Sequence, residues 1–155
     1  MNEINKQVIL EKEIDLIQSC INMQSRNSFI VKGWMITLLT VIIALLPKTF
    51  DIRLLCILGI VITLCFWYLD GFFLKTEKLY RWKYEWVIKN RYENDNFFYD
   101  LNPYNKETRI KDDEDIEKTE PYIVSIMFSN TLLPMYLPLF LAVIMFLINT
   151  YTKWF

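Results

Sequence analysis

The chain has 155 residues, of which 54% are hydrophobic, 16% aromatic and 23% charged, and its 17 basic and 18 acidic side chains leave a net charge of −1. It has no histidine, and its three glycines, Gly33, Gly59 and Gly71, stand far apart. These counts exclude a Ser-His or Cys-His nucleophile, a histidine proton relay, an imidazole metal ligand and a Gly-rich phosphate loop. The sequence therefore reads as a non-enzyme, with no catalytic residue, cofactor or metal site.

Residues 3–27 read as a helix, because Leu10, Ile14, Ile17 and Ile21 recur at spacings of four, three and four. Glu11, Lys12, Glu13 and Asp15 fall mostly on other faces. The apolar stripe suits packing against other helices of the chain, or lying in a membrane surface. Charges throughout this stretch break any signal-type hydrophobic region. Cys20, Cys56 and Cys65 form no CxxC, and two of them lie in an apolar run as small hydrophobes.

Three uncharged runs follow. Gly33–Pro47, extended by Ser28–Lys32, approaches the ~20 residues needed to cross hydrocarbon. Leu54–Leu69 is the second, and Pro47–Arg53 forms a tight turn between them. The third, Pro121–Thr152, has no charge for 32 residues. It accommodates a span at Thr131–Thr150 behind an interfacial lead-in at Tyr122–Asn130. A second topology makes Pro134 and Pro138 the apex of a re-entrant loop. The fold class is all-α, an integral membrane protein with about three transmembrane helices. Its parts are an N-terminal amphipathic helix (1–28), a transmembrane hairpin (29–74), a basic helix and acidic loop (75–120), and a third membrane segment with a tail (121–155).

Fourteen Lys and Arg precede the first span or join the second to the third, against three in the hairpin turn and tail. That bias puts the N-terminus and the connector in the cytoplasm. The second span has no proline, so its helix is expected to continue to about Tyr92 as a cytoplasmic extension. Residues 75–92 have six basic and two acidic side chains, net +4, and residues 93–120 have four and ten, net −6. The acidic part, including Asp112, Asp113, Glu114 and Asp115, reads as a loop or poorly ordered insert.

Lys32 lies 18 residues before Phe50, the middle of the turn, and Asp70 lies 20 after it, so the two arrive at similar depth. Arg26 and Glu77, 24 before and 27 after, form the next rung. Ionisable groups near the hydrocarbon boundary pair or face water. Here they form either a structural clasp or a charged ring at a pore entrance. Gly33, Thr37, Thr40 and Ala44 share one face of the first span, and Cys56, Gly59, Thr63, Trp67 and Asp70 one face of the second. Both faces suit close helix packing. In the extension, Lys78, Arg81, Lys83, Lys89 and Arg91 alternate with aromatics such as Trp82 and Trp86. These side chains suit snorkelling at the membrane lipids, binding a nucleotide or oligonucleotide, or docking the acidic insert.

The segments RNSFIVKGWMIT (Arg26–Thr37) and FWYLDGFFLKTEKLYR (Phe66–Arg81) resemble small bacterial membrane proteins of anti-phage defence, in particular the Hailong-type membrane effector paired with a nucleotidyltransferase. The resemblance spans roughly residues 20–92. It implies a homo-oligomeric channel of the inner membrane, controlled by a nucleic-acid-like signal, that depolarises the infected cell. Lys32, Asp70 and Glu77 carry over as motif positions. The residues alone leave a second reading open, a non-conducting adaptor that anchors a cytoplasmic partner through residues 75–120.

Overall fold

The computed structural model describes residues 3–45, 51–108 and 118–152. Their regular elements are helical, with no strand among the described residues: α1 (Glu3–Leu45), α2 (Ile52–Asn90), a short 3-10 turn (Lys106–Thr108), α3 (Ile123–Met127) and α4 (Leu133–Thr152). Among the described residues, three helices are long and apolar enough to cross a membrane.

The N-terminal helix and the first span, expected as separate parts, form one helix of 43 residues. No proline or glycine falls between Arg26 and Lys32 to interrupt the backbone hydrogen bonds. Asp51 starts α2, its Oδ1 accepting the Arg53 amide at 3.0 Å as an N-cap. The helix then runs 39 residues, ~58 Å at 1.5 Å per residue, and ends two residues short of Tyr92. Pro47, Lys48 and Phe50 of the turn lie outside the described residues.

α4 contains both Pro134 and Pro138, so the re-entrant apex is not formed. Pro134 sits in the first turn, where its missing N–H has no acceptor to serve. Pro138 leaves only the Pro134 carbonyl without its donor four residues on.

The chain divides into two units. One comprises Met1–Arg26 and Phe73–Pro121, and the other Asn27–Phe72 and Tyr122–Phe155. In the first, Ile17, Tyr80, Trp86 and Val87 form the core, with Leu10, Ile14, Ile21 and Phe97 packed on it. The N-terminal stripe thus packs on the chain's own helices.

The described part of the segment after α2, residues 91–108, is a loop, and its own side chains order it. Asn94, Asp100, Asn102 and Asn105 each accept, on a side-chain oxygen, the amide two residues on, at 2.8 to 3.1 Å. Such Asx turns fold a polar sequence locally. Phe97 and Tyr99 adopt left-handed φ of 60° and 54°. That backbone costs about 1–3 kcal/mol per bulky residue and persists only where its surroundings impose it. The acidic run Asp112–Asp115 lies outside the described residues.

In the second unit, α1 presents Val31, Met35 and Leu39 to the interior. Gly33 has nothing within 4 Å of where its Cβ would stand, and Thr37, Thr40 and Ala44 are exposed. The small-residue face of the first span is therefore not its packing face within the chain, contrary to expectation. The apolar bulk of Val31, Met35 and Leu39 occupies the interface instead. The face of α2 with Cys56, Gly59, Thr63, Trp67 and Asp70 is buried. At Gly59 an added Cβ would stand 3.4 Å from Val143 of α4 and 3.8 Å from Leu39 of α1, so the three helices converge there.

Candidate functional site

Asp70 is fully buried in the second unit, and three side chains converge on it. Lys32 Nζ lies 2.6 Å from Asp70 Oδ2. The same ammonium donates to Ser28 Oγ at 2.7 Å, and the Ser28 hydroxyl donates to Asp70 Oδ1. Tyr136 of α4 donates its hydroxyl to Asp70 Oδ2 at 2.9 Å. Helix geometry explains the α1 pair: Ser28 and Lys32 are four residues apart and so share a face. Antiparallel pairing about the turn then brings that face to Asp70.

An aromatic cluster holds Tyr136 in place. Trp67, one turn before Asp70, stacks on its ring at 5.7 Å with planes 3° apart, and Phe128 and Phe140 tilt against the same indole. Trp67 Nε1 also donates to the Met127 carbonyl at 2.9 Å, which anchors the end of α3. Gly71 completes the seat, since a Cβ there would come within 2.9 Å of Met127 Cγ. A carboxylate taken from water is tolerable only when paired and hydrogen-bonded, and Asp70 is both.

Arg26 and Glu77 do not form the expected next rung. Glu77 accepts two hydrogen bonds from Arg81, at 2.7 and 3.0 Å, and Arg26 is exposed. The i, i+4 neighbour on the same helix reaches Glu77 first.

Three of the expected ligand-facing residues lie in the interior of the first unit. Arg91 is 4% exposed and grips the fully buried Glu13 through two bonds of 2.6 and 2.8 Å. It also donates to the carbonyls of Asn94, Asn96 and Phe97, and its guanidinium lies over Trp86 and Phe98. This grip holds the left-handed turn in place. Lys83, 2% exposed, donates to Asp100 Oδ2 and the Asn102 carbonyl, each at 2.9 Å. Trp86 is buried. The reason is charge complementarity inside one chain: Asp100, and likewise Glu120 on Lys75 at 2.5 Å, bring acidic residues onto the basic helix. Burial alone would raise the Asp100 carboxyl. Hydrogen bonds from Asn105, Lys83 and the Asn102 amide outweigh that and hold it below the usual carboxylate range.

Lys78, Arg81 and Lys89 remain at the surface, with Trp82 half-buried beside them. Lys78 and Lys118 both direct their ammonium groups at the Trp82 ring, 5.4 and 5.9 Å from its centroid.

Sequence reasoning missed Ser28, Tyr136 and Glu13. Each left a signal: Ser28 is one turn from Lys32, and Tyr136 brings a hydroxyl into a charge-free run. Glu13 lies three residues after Leu10, on the apolar stripe rather than off it. No family model, curated protein or solved structure matches this chain.

Proposed function

We propose that this protein is a homo-oligomeric pore or ion channel of the bacterial inner membrane. It acts as an anti-phage effector that collapses the membrane potential when a cytoplasmic signal changes. The observation that supports this reading is the ion pair of half-buried Lys32 with fully buried Asp70, tied to α4 through Tyr136, in helices long and apolar enough to cross a membrane. Ionisable groups in membrane-spanning helices pair or face water, and they are found along ion pathways and gates. The space between α1, α2 and α4 within one chain is an apolar cavity of ≈ 350 Å³, lined by side chains such as Leu39, Val143 and Phe146. Such a lining offers no ligands to an ion, which supports a conducting path between copies rather than within one chain.

The excess of Lys and Arg in the N-terminal part and the connector supports a cytoplasmic position for both. On that side Lys78, Arg81, Lys89 and Trp82 supply the cations and the aromatic face that a phosphate-bearing, base-bearing signal requires. The likeness of residues 20–92 to the Hailong-type effector favours a nucleotide or oligonucleotide made by a cognate nucleotidyltransferase. Expression in cells loaded with a potential-sensitive dye, followed by recording in planar bilayers, tests the reading. Depolarisation and unitary currents are expected on activation. A membrane-inserted protein that conducts under no condition overturns it.

One observation favours the non-conducting adaptor. The ordered turn after α2 exposes Tyr92, Tyr99 and Tyr104, side chains suited to a protein partner.

A further inference from the structure

In the second unit the large exposed side chains are sorted along the helix axes. Phe29, Trp34, Tyr68 and Tyr122 are 77%, 60%, 53% and 81% exposed. Farther toward the hairpin turn, α1 and α2 expose aliphatic side chains instead, among them Ile36, Val41, Val61 and Leu64. α4 does the same with Leu141 and Met145, and Phe146 is its one exposed ring among the described residues.

The four aromatic side chains stand at one level, and the Lys32–Asp70 pair marks it. Lys32 and Asp70 are in contact, so their positions on α1 and α2 share a depth. Phe29 lies three residues before Lys32, Trp34 two after it and Tyr68 two before Asp70, offsets of about 3–5 Å at 1.5 Å per residue. Tyr122 joins them through its neighbour: a Cβ on Gly71, the residue after Asp70, would stand 3.5 Å from Ile123. From Asp70 to Ile52, at the other end of α2, the helix rises about 27 Å, close to the ~30 Å of a bilayer's hydrocarbon. Arg53 is the only charged residue between those two, and it adjoins the far end.

We propose that Phe29, Trp34, Tyr68 and Tyr122 form an interfacial ring that docks in the headgroup layer of one leaflet and fixes the depth of the second unit, with the Lys32–Asp70 pair at the hydrocarbon boundary. The partner is the lipid surface, in the inner leaflet under the orientation above. Indole and phenol groups suit that layer, because the ring is apolar while its N–H or O–H still meets water and headgroups. A single protein partner covers one face, whereas these side chains point several ways. Phe29 and Trp34 are five residues apart, about 140° around α1. Tyr68 lies on α2, and Tyr122 stands at the N-cap of α3. At the boundary an ion pair has headgroups and water within reach, which it lacks at the midplane. The inference rests on the membrane reading above and is independent of conduction.

The test reads depth in lipid vesicles. In a chain whose Cys20, Cys56 and Cys65 are replaced by alanine, Trp34→Cys, Tyr68→Cys, Tyr122→Cys and Val61→Cys are each labelled with an environment-sensitive fluorophore. The labelled chains are reconstituted in phosphatidylcholine–phosphatidylglycerol vesicles whose lipids bear a spin label at the headgroup or near the acyl terminus. The labels at 34, 68 and 122 are expected to lose more emission to the headgroup quencher. The label at 61, halfway from Ile52 to Asp70, is expected to lose more to the acyl quencher. A greater loss to the acyl quencher at any of the three ring positions overturns the proposal. So does a ring position that neither quencher reaches while 61 responds, because protein then covers it. No response at 61 to either quencher removes the membrane reading and the proposal with it. The expected depths without any conductance leave the ring standing and remove the pore alone.

Discussion

Asp70 draws a lysine, a serine and a tyrosine onto one carboxylate, and each contributes differently. Removing one partner of a buried ion pair costs about 3–5 kcal/mol, because the other charge is left uncompensated. Lys32→Glu and Asp70→Lys are each expected to lower thermal stability sharply in detergent, and the double exchange to recover part of the loss. Trp67 fluorescence follows the change, since the indole stacks on Tyr136. No recovery would mean that the pair does not act as a unit. Tyr136→Phe keeps the stack and removes one bond to a charged acceptor, a loss of about 1.5–3 kcal/mol. Asp100 gives a pH dependence with a definite sign. Its folded pKa is depressed, so its contribution is complete above the ordinary aspartate value of about 3.9 and is lost as pH falls through the lower folded value. Proteolysis at the turn 94–105 is therefore expected to rise below about pH 4, and Asp100→Asn should flatten that profile while raising cleavage at neutral pH.

At the scale of elements, the two long helices follow from what their sequences lack. Neither α1 nor α2 contains a proline, and each glycine in α2 lies where another element comes close. Gly71 is the tighter site, and the Met127 side chain leaves no room for a methyl group. Gly71→Ala is expected to shift α3 and destabilise the fold by about 1–3 kcal/mol, an overpacking cost. Gly33→Ala, in open space, should be neutral or slightly stabilising through helix propensity. Equal effects at the two positions would contradict the packing described. The turn after α2 is the element least legible from composition. Its acidic residues suggest a solvated chain, yet alternate Asn and Asp side chains fold it locally and Arg91 closes it from inside.

For the molecule as a whole, a net charge of −1 conceals a division between a +4 helix and a −6 segment. Asp100 on Lys83 and Glu120 on Lys75 show part of that opposition satisfied within the chain. The orientation proposed for it is testable by labelling single cysteines in the cysteine-free chain with a membrane-impermeant maleimide. Thr49→Cys is expected to react in intact cells, and Tyr104→Cys only after permeabilisation. The reverse pattern would invert the topology and put the basic surface on the wrong side for a cytoplasmic signal.

The sequence by itself determined the helical class, the three apolar runs and the meeting of Lys32 with Asp70. Composition and the count of residues on either side of a turn decide those things, and both are local or nearly so. Only the tertiary structure decided that Tyr136, 66 residues from Asp70, supplies its third donor, and that Glu13, 78 residues from Arg91, is the partner of that guanidinium. It likewise withdrew Lys83, Arg91 and Trp86 from the surface. Such contacts depend on how each helix is rotated about its axis and where the connectors lead the chain. Neither quantity is written in the periodicity of any one segment, because a buried charge takes the first complementary group that packing brings within reach.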